Sequence, residues 1–361
     1  MAQRRRSGRP TISDVAQRAG VSAITVSRAL RKPEQVSAER RERIANAIRE
    51  LNYVPDPQAS VLASGRSNVI GVVLPSLTNN VYADVLQGIY DRVEGSGFQV
   101  QIGNTRYSVE EEDRLVRLFA GQRPAAMLIT GLDQSSGTRR YLRGLDVPLV
   151  QIMEHTPEPI DMLIGFSHVA AARAAVAHLL DGGYRGIGFL GARMDRRMLR
   201  RCEGYRAILG ERRLYAPERE VMTKAPSSVS EGRKLCARLL EAAPDTDAVF
   251  CANDDLALGA LFECQARGLQ VPEQVGIVGF NDLEMMAAAV PSVTSIQTHR
   301  YQMGSMAIDM LIRRIEGESV AEPAVDLGFT LVPRQSTDRR ASGGRRGGRP
   351  AERSANAVPT S

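Results

Sequence analysis

Residues 11–30 read T-I-S-D-V-A-Q-R-A-G-V-S-A-I-T-V-S-R-A-L, and residues 36–52 continue V-S-A-E-R-R-E-R-I-A-N-A-I-R-E-L-N. The pattern spells short helices in quick succession. Thr11 is placed to cap a first helix through I-S-D-V-A-Q-R-A, and Gly20 ends it. Ser22 caps a second helix, A-I-T-V-S-R-A-L-R, which Pro33 stops. Ser37 caps a third, in which Ile44, Ala45, Ile48 and Leu51 fall on one face. Val15, Ala16, Ala19, Val21, Val26 and Leu30 supply the opposing apolar surface. Two helices joined by A-G-V-S make a helix-turn-helix with Gly20 at the turn.

Charge follows the same division. The 361-residue chain carries a formal net charge of +6. Residues 1–66 hold 13 Lys/Arg against 6 Asp/Glu and residues 339–361 hold 6 Arg against 1 Glu, which leaves the middle acidic. A basic head on an acidic body is the electrostatic footprint of nucleic-acid binding by the head. Four cysteines at wide spacing with no C-x-x-C pair read as free thiols, and four histidines form no ligand cluster. No metal or cofactor is expected. No apolar run is long enough to span a membrane, and the basic N-terminus has no apolar stretch behind it, so a cytoplasmic protein is expected.

Beyond the third helix, Asp56-Pro57 and Gly65 bracket a segment barely two turns long, with N-cap, first helical position and stop in order. Such a helix is marginal alone in water. It reads either as a plain linker or as a hinge helix that folds when docked. From residue 68 the rhythm becomes alternating strand and helix. Strands are expected at 69–75, 98–104, 125–131, 148–153, 162–166, 186–192, 248–254 and 275–280, with helices around 80–95, 109–121, 169–182, 228–242 and 254–267. Short apolar strands with crossover helices predict parallel, doubly wound sheets in two subdomains. The tail R-R-A-S-G-G-R-R-G-G-R-P is Gly/Arg-rich without apolar periodicity and is expected to be disordered.

The headpiece residues, with A-N-D-D-L-A-L-G-A (252–260), V-G-I-V-G-F-N-D (275–282) and P-S-V-T-S-I (291–296), resemble the lactose/galactose-repressor family. Within it, L-P-S-L-T-N-N-V-Y-A-D-V-L-Q-G-I (74–89), L-G-A-R-M-D (190–195) and D-L-G-F-T-L (326–331) look most like the gluconate-utilisation repressors. The resemblance implies a basic arm (1–10), an all-α helix-turn-helix headpiece (11–55) and a hinge helix with linker (56–67). It further implies an α/β two-lobe periplasmic-binding-protein-like domain (68–336) with parallel doubly wound sheets, and a tail (337–361). The chain is expected to cross between lobes near 166, 297 and 327.

The resemblance also implies roles. The second helix enters the major groove, where Ala23 and Ile24 read bases by apolar contact. Ser22, Thr25, Ser27 and Arg28 flank them, largely on phosphates. Thr11, Asn52, Tyr53 and Ala59 belong to the same interface, and Leu62 matches the hinge leucine that wedges into the minor groove. Effector positions are Ser76, Asn79, Thr130, Glu154, Arg201, Asn253, Asn281 and Arg300. Most fall at or just past strand carboxyl ends, where open α/β sheets place ligands. A stacking aromatic is the family's usual choice where Arg300 stands. Arg300 with Arg201 therefore gives two guanidiniums suited to a carboxylate. Gluconate fits; 6-phosphogluconate, a ketogluconate or a neutral sugar are the rivals.

The motifs of an enzyme (Walker A lysine, nucleophile elbow, metal cluster) are missing. A transport-type binding protein would share the body but not the headpiece. The expected partners are a near-palindromic double-stranded operator, a second copy of the chain as homodimer, and a small anionic sugar acid. Leu62→Ala is expected to weaken operator binding by roughly 1–3 kcal/mol and leave effector binding unchanged. A gel-shift series with unaltered affinity would remove the wedge from the account.

Overall fold

The computed structural model describes residues 10–31, 33–54 and 66–339. The arm before Pro10, residues 55–65 with Ala59 and Leu62, and residues 340–361 lie outside the described residues. The chain separates into two compact units at Ser67/Asn68.

The first unit holds α1 (Ile12–Ala19), α2 (Ala23–Arg31) and α3 (Ala38–Glu50). Thr11 and Asp14 form a reciprocal capping box: the Asp14 N–H donates to Thr11 Oγ1 at 3.4 Å, and the Thr11 N–H donates to the Asp14 carboxylate at 2.7 Å. Gly20 takes φ 65°, and the Val21 N–H reaches back to the Ala16 carbonyl at 3.0 Å, closing the helix end. Arg43 on α3 donates to the Ala19 and Gly20 carbonyls at 2.5 and 3.2 Å. A Cβ on Gly20 would stand 2.6 Å from that guanidinium, the movable end of a long side chain, so it is the positive φ rather than space that reserves the turn for glycine. Ser22 Oγ accepts from the Thr25 N–H at 3.2 Å.

Three expectations for this unit are corrected. Ser37 occupies the N-cap of α3 but makes no side-chain cap; only its carbonyl accepts, from the Arg41 N–H. Ala47 is buried rather than Ala45, because the inward face runs 44, 47, 48, 51. Leu30 is 40% exposed, one turn past fully buried Val26 and beyond the end of the core.

The second unit is two six-stranded sheets. The first has the order β11-β5-β4-β3-β1-β2, from β1 (Val69–Leu74), β2 (Gln99–Asn104), β3 (Ala126–Thr130), β4 (Leu149–Ile152), β5 (Met162–Gly165) and β11 (Ala324–Asp326). The second has the order β12-β10-β9-β8-β6-β7, from β6 (Ile187–Gly191), β7 (Glu220–Met222), β8 (Ala248–Cys251), β9 (Gly276–Asn281), β10 (Thr294–Gln297) and β12 (Thr330–Val332). All pairings are parallel except β10 with β12. β12 arrives directly from β11 in the other sheet, without a crossover helix to reverse it. The chain passes between lobes after Gly165, after Gln297 and between Asp326 and Thr330. In each sheet the third strand returns to the far side of the first. That leaves a switch point at β1/β3 and another at β6/β8, where crevices open at carboxyl ends.

Paired glycines draw helices together in each lobe. In lobe one, α4 (Val81–Val93) crosses α12 (Arg300–Ile315), where a Cβ on Gly88 or Gly304 would meet the Tyr301 or Val85 carbonyl oxygen at 2.1 Å. In lobe two, α9 (Val229–Ala242) crosses α10 (Asp254–Ala266) at Gly232 and Gly259 in the same way. Backbone cannot yield as a side chain can. Gly304→Ala is expected to destabilise by about 1–3 kcal/mol, the range for overpacking. Urea denaturation with no change in midpoint would contradict the close crossing.

Candidate functional site

In the headpiece, Val26 is fully buried and fixes the rotation of α2. Ser22, Ile24 and Arg28 consequently face solvent, Ile24 at 71% exposure, while Ala23, Thr25 and Ser27 are half-buried along the flanks. Thr11 is exposed, with its hydroxyl engaged in the capping box. Asn52 ends α3 in a left-handed conformation, φ 48°, and is exposed. Tyr53 departs from the expected surface role: it is buried in the headpiece core with Val15, Val26 and Ile44.

In the body, the sheet ends meet in a cleft of three connected compartments. The central one, about 50 Å³, is lined by Asn79, Tyr82, Phe166, Arg197, Arg201 and Asn281 among others. A compartment of about 130 Å³ adjoins it through Asn79, Tyr107 and Asn253 and includes Ser76. One of about 420 Å³ adjoins it through Phe166 and His168 and includes Glu154. Ser76, Asn79, Glu154, Arg201, Asn253 and Asn281 are thus brought together. Neither Thr130 nor Arg300 lines the three compartments. Thr130 spends its hydroxyl on the Val73 carbonyl at 3.2 Å.

Arg300 is the main correction. Its guanidinium is paired with Asp84 at 2.6 Å, contacts Thr298 at 3.4 Å and donates to the Asn281 carbonyl. It joins α12 to α4 and to a strand end of lobe two and has no fork left for a ligand. The missed guanidinium is Arg197, one helical turn before Arg201 on α8 (Arg196–Glu211) and so on the same face. Arg197 donates to the Tyr82 hydroxyl at 2.7 Å and faces Asp195 at 3.4 Å. The i, i+4 spacing was the available signal. The cleft also holds rings that the sequence reading did not place there, Tyr82, Tyr107 and Phe166. The argument from a missing aromatic therefore falls.

Arg201 is 4% exposed. It lies 3.6 Å over the Phe280 ring, donates to the Ala252 carbonyl, and donates from Nε to His168 Nδ1 at 3.3 Å. His168 Nδ1 must then be an acceptor, so its proton sits on Nε2, which donates to the Met153 carbonyl at 2.9 Å. Burial first, then Arg201 and Arg197, holds the imidazole well below its usual range and neutral. Among the described residues no carboxylate reaches Arg201 at ion-pair distance, and burial pulls its guanidinium down to about 9. Glu154 is 5% exposed with Oε1 unpartnered, and burial, with Asp133, lifts its carboxyl above the ordinary range. The remaining polar groups are organised for presentation. Ser76 Oγ accepts from the Thr78 and Asn79 N–H groups at 3.2 and 3.1 Å. Asn253 caps α10 and donates to Ser227 at 2.7 Å. Met153 and Asn281 line the cleft at φ 77° and 113°, strain of the sort found where side chains are held for ligands.

Residues 11–56 match the model for bacterial regulatory proteins, lacI family, and residues 176–337 match a periplasmic binding protein-like domain. The chain is 41% identical over 333 residues to the HTH-type transcriptional regulator GntR of Pseudomonas aeruginosa, covering 92% of this chain and 97% of that one. A LacI-family transcriptional regulator from Silicibacter pomeroyi superposes with TM-score 0.86 at 33% identity, covering 91% of this chain and 100% of the other. The lac repressor dimer bound to operator and the anti-inducer ONPF gives TM-score 0.79 at 27% identity, covering 91% and 99%.

One carboxyl beside the cleft reports on its state. Burial lifts Glu112 to about 7, with Gln134 and Arg197 opposing and Asp133 adding to the rise. The fold therefore holds a proton between about pH 4.5 and 7 that the unfolded chain has released, so stability falls as pH rises through that window. Glu112→Gln is expected to flatten that slope and to raise stability at pH 8. Parallel denaturation curves for both proteins from pH 5 to 8 would contradict the assignment.

Proposed function

The chain belongs to the lacI family of bacterial regulatory proteins and is a DNA-binding transcriptional repressor, and on that premise we propose that a small sugar acid, gluconate or a close anionic relative, lowers its affinity for the operator. Ser22 just before α2, with Ile24 and Arg28 on it, are the outward candidates for the major groove, with Leu62 at the hinge as the resemblance implies. A homodimer on a near-palindromic operator supplies two headpieces, since one reads too few base pairs. Such a regulator works in the cytoplasm, where the chromosome is. The domain limits inferred from the sequence are retained in this reading.

The observation that carries the effector class is Arg201. This buried guanidinium is held by carbonyl, ring and neutral imidazole; Asp195 and Asp254 act on it only from beyond ion-pair distance, and an incoming carboxylate would supply a direct partner. Asn79, Asn253 and Asn281 would then take hydroxyls, and unpartnered Glu154 Oε1 would accept one more. The resemblance to gluconate-utilisation repressors, matched by relatives named GntR, points the same way.

Gluconate is expected to release operator DNA in a gel-shift titration, and glucose is not. Arg201→Gln is expected to keep operator binding, which controls for folding, while shifting the gluconate response at least about tenfold. Release by glucose at the same concentrations as gluconate would overturn the anion-recognition account.

A further inference from the structure

Beside the cleft centre, the 420 Å³ compartment has a character of its own. It is lined by Arg139 and Arg143 from α6 (Ser136–Arg143) of lobe one and by Arg196 and Arg200 from the start of α8 in lobe two. Each pair is spaced i, i+4, so each helix turns two guanidiniums to one side. Their existing partners are few. Arg196 stands 3.7 Å from Asp133, and Arg200 meets exposed Glu203 at 3.2 Å. Among the described residues no carboxylate lies within ion-pair distance of Arg139 or Arg143, and Arg139 Nε is buried without a hydrogen-bond partner. The acids in the lining are Glu154 and Glu158, so the arginines outnumber them by two. Ser167, His168 and Val169, the opening of helix α7 (His168–Asp181), form another wall. That helix end adds positive potential to the guanidiniums.

We propose that this compartment is a phosphoryl subsite, placed so that a ligand anchored by its carboxylate in the cleft centre carries a phosphate group between the arginines of the two lobes. The inference rests on the sugar-acid reading for the carboxylate end, and extends it to the far end of the ligand. A carboxylate would be satisfied by one guanidinium fork. Arg139 and Arg143 from lobe one, without an ion pair among the described residues, and Arg196 and Arg200 from lobe two, whose ion pairs are long or exposed, line one polar cavity and match a phosphate dianion. A dianion held from both sides also favours the lobes in the closed arrangement. The phosphate can come as an ester on the sugar acid or as free inorganic phosphate beside it.

The test is calorimetric titration of the full-length protein with gluconate, with 6-phosphogluconate, with inorganic phosphate alone, and with gluconate in the presence of phosphate. An ester subsite gives 6-phosphogluconate an advantage of about tenfold or more over gluconate. A free-phosphate subsite instead gives heat with phosphate alone and tighter gluconate binding in its presence. Exposed Arg143 lies on the rim, so Arg143→Ala leaves the fold intact; it is expected to remove whichever phosphate effect is seen while gluconate alone stays within about twofold. Equal losses for gluconate and its phosphate ester would reduce the arginines to general steering and overturn the subsite. No phosphate effect in any arm overturns it as well. Should no sugar acid bind, heat from phosphate alone that Arg143→Ala abolishes supports the subsite and sinks the sugar-acid reading.

Discussion

Arg201 is a buried positive charge in the cleft that, among the described residues, no carboxylate meets at ion-pair distance. Its anchors come from three places: the Ala252 carbonyl just past β8, the Phe280 ring on β9, and the imidazole at the start of α7. One guanidinium thus ties together strand ends that the fold itself only brings near each other. The arrangement works because each anchor is an acceptor or a ring face. Had His168 been protonated, two cations would face each other with no lone pair between them, and the buried imidazole is accordingly neutral.

Arg300 shows the opposite solution to the same problem. Also buried, it meets Asp84 directly and is electrostatically complete. Two arginines that sequence places in equivalent roles are separated by what lies opposite them. Asp84 is 216 positions away and sits on α4, so nothing local announces the pair. Arg197 escaped notice for a related reason. It lies one turn before Arg201 and shares its face, but its partner Tyr82 is on the other lobe, so only the i, i+4 spacing pointed to it.

The headpiece was legible almost residue by residue because its signals are local: Thr11 with Asp14, Gly20 at the turn, Ser22 before α2. Two of its errors, Ala45 for Ala47 and Leu30 as core, are errors of helix phase and helix end; the others are side chains turned otherwise than expected, Ser37 away from its cap and Tyr53 into the core. In the body, the long apolar strands were visible as runs. Strands β7, β11 and β12, with three residues each, carry no periodicity and exist only because a sheet edge offers them partners. The strand β10, four residues with Thr and Ser at its start, was hidden in the same way. The family resemblance proposed Ser76, Asn79, Glu154, Asn253 and Asn281 at or past strand carboxyl ends, and the fold brings them to the cleft, whereas Thr130 at another strand end turns its hydroxyl to the Val73 carbonyl. On helices the choice of face is made by distant packing, so the resemblance found Arg201 and not Arg197.

The glycine crossings bear on how such a cleft can transmit an event. Helices drawn to backbone contact in each lobe leave little freedom for sliding within it. The freedom that remains is between lobes, at the three chain crossings and at the few side-chain contacts that bridge them. Among the described residues these include Arg197 to the Tyr82 hydroxyl, Arg196 to Asp133, Arg300 to the Asn281 carbonyl, Arg193 over the Tyr107 ring, and His168 to the Met153 carbonyl. All but the last place an arginine on one lobe and its partner on the other. Of these guanidiniums Arg197 lines the cleft, and a ligand that met it would compete with its bond to Tyr82 and so interact differently with lobe arrangements that keep this bridge and those that break it. That difference is the only means by which a ligand can shift a two-state equilibrium.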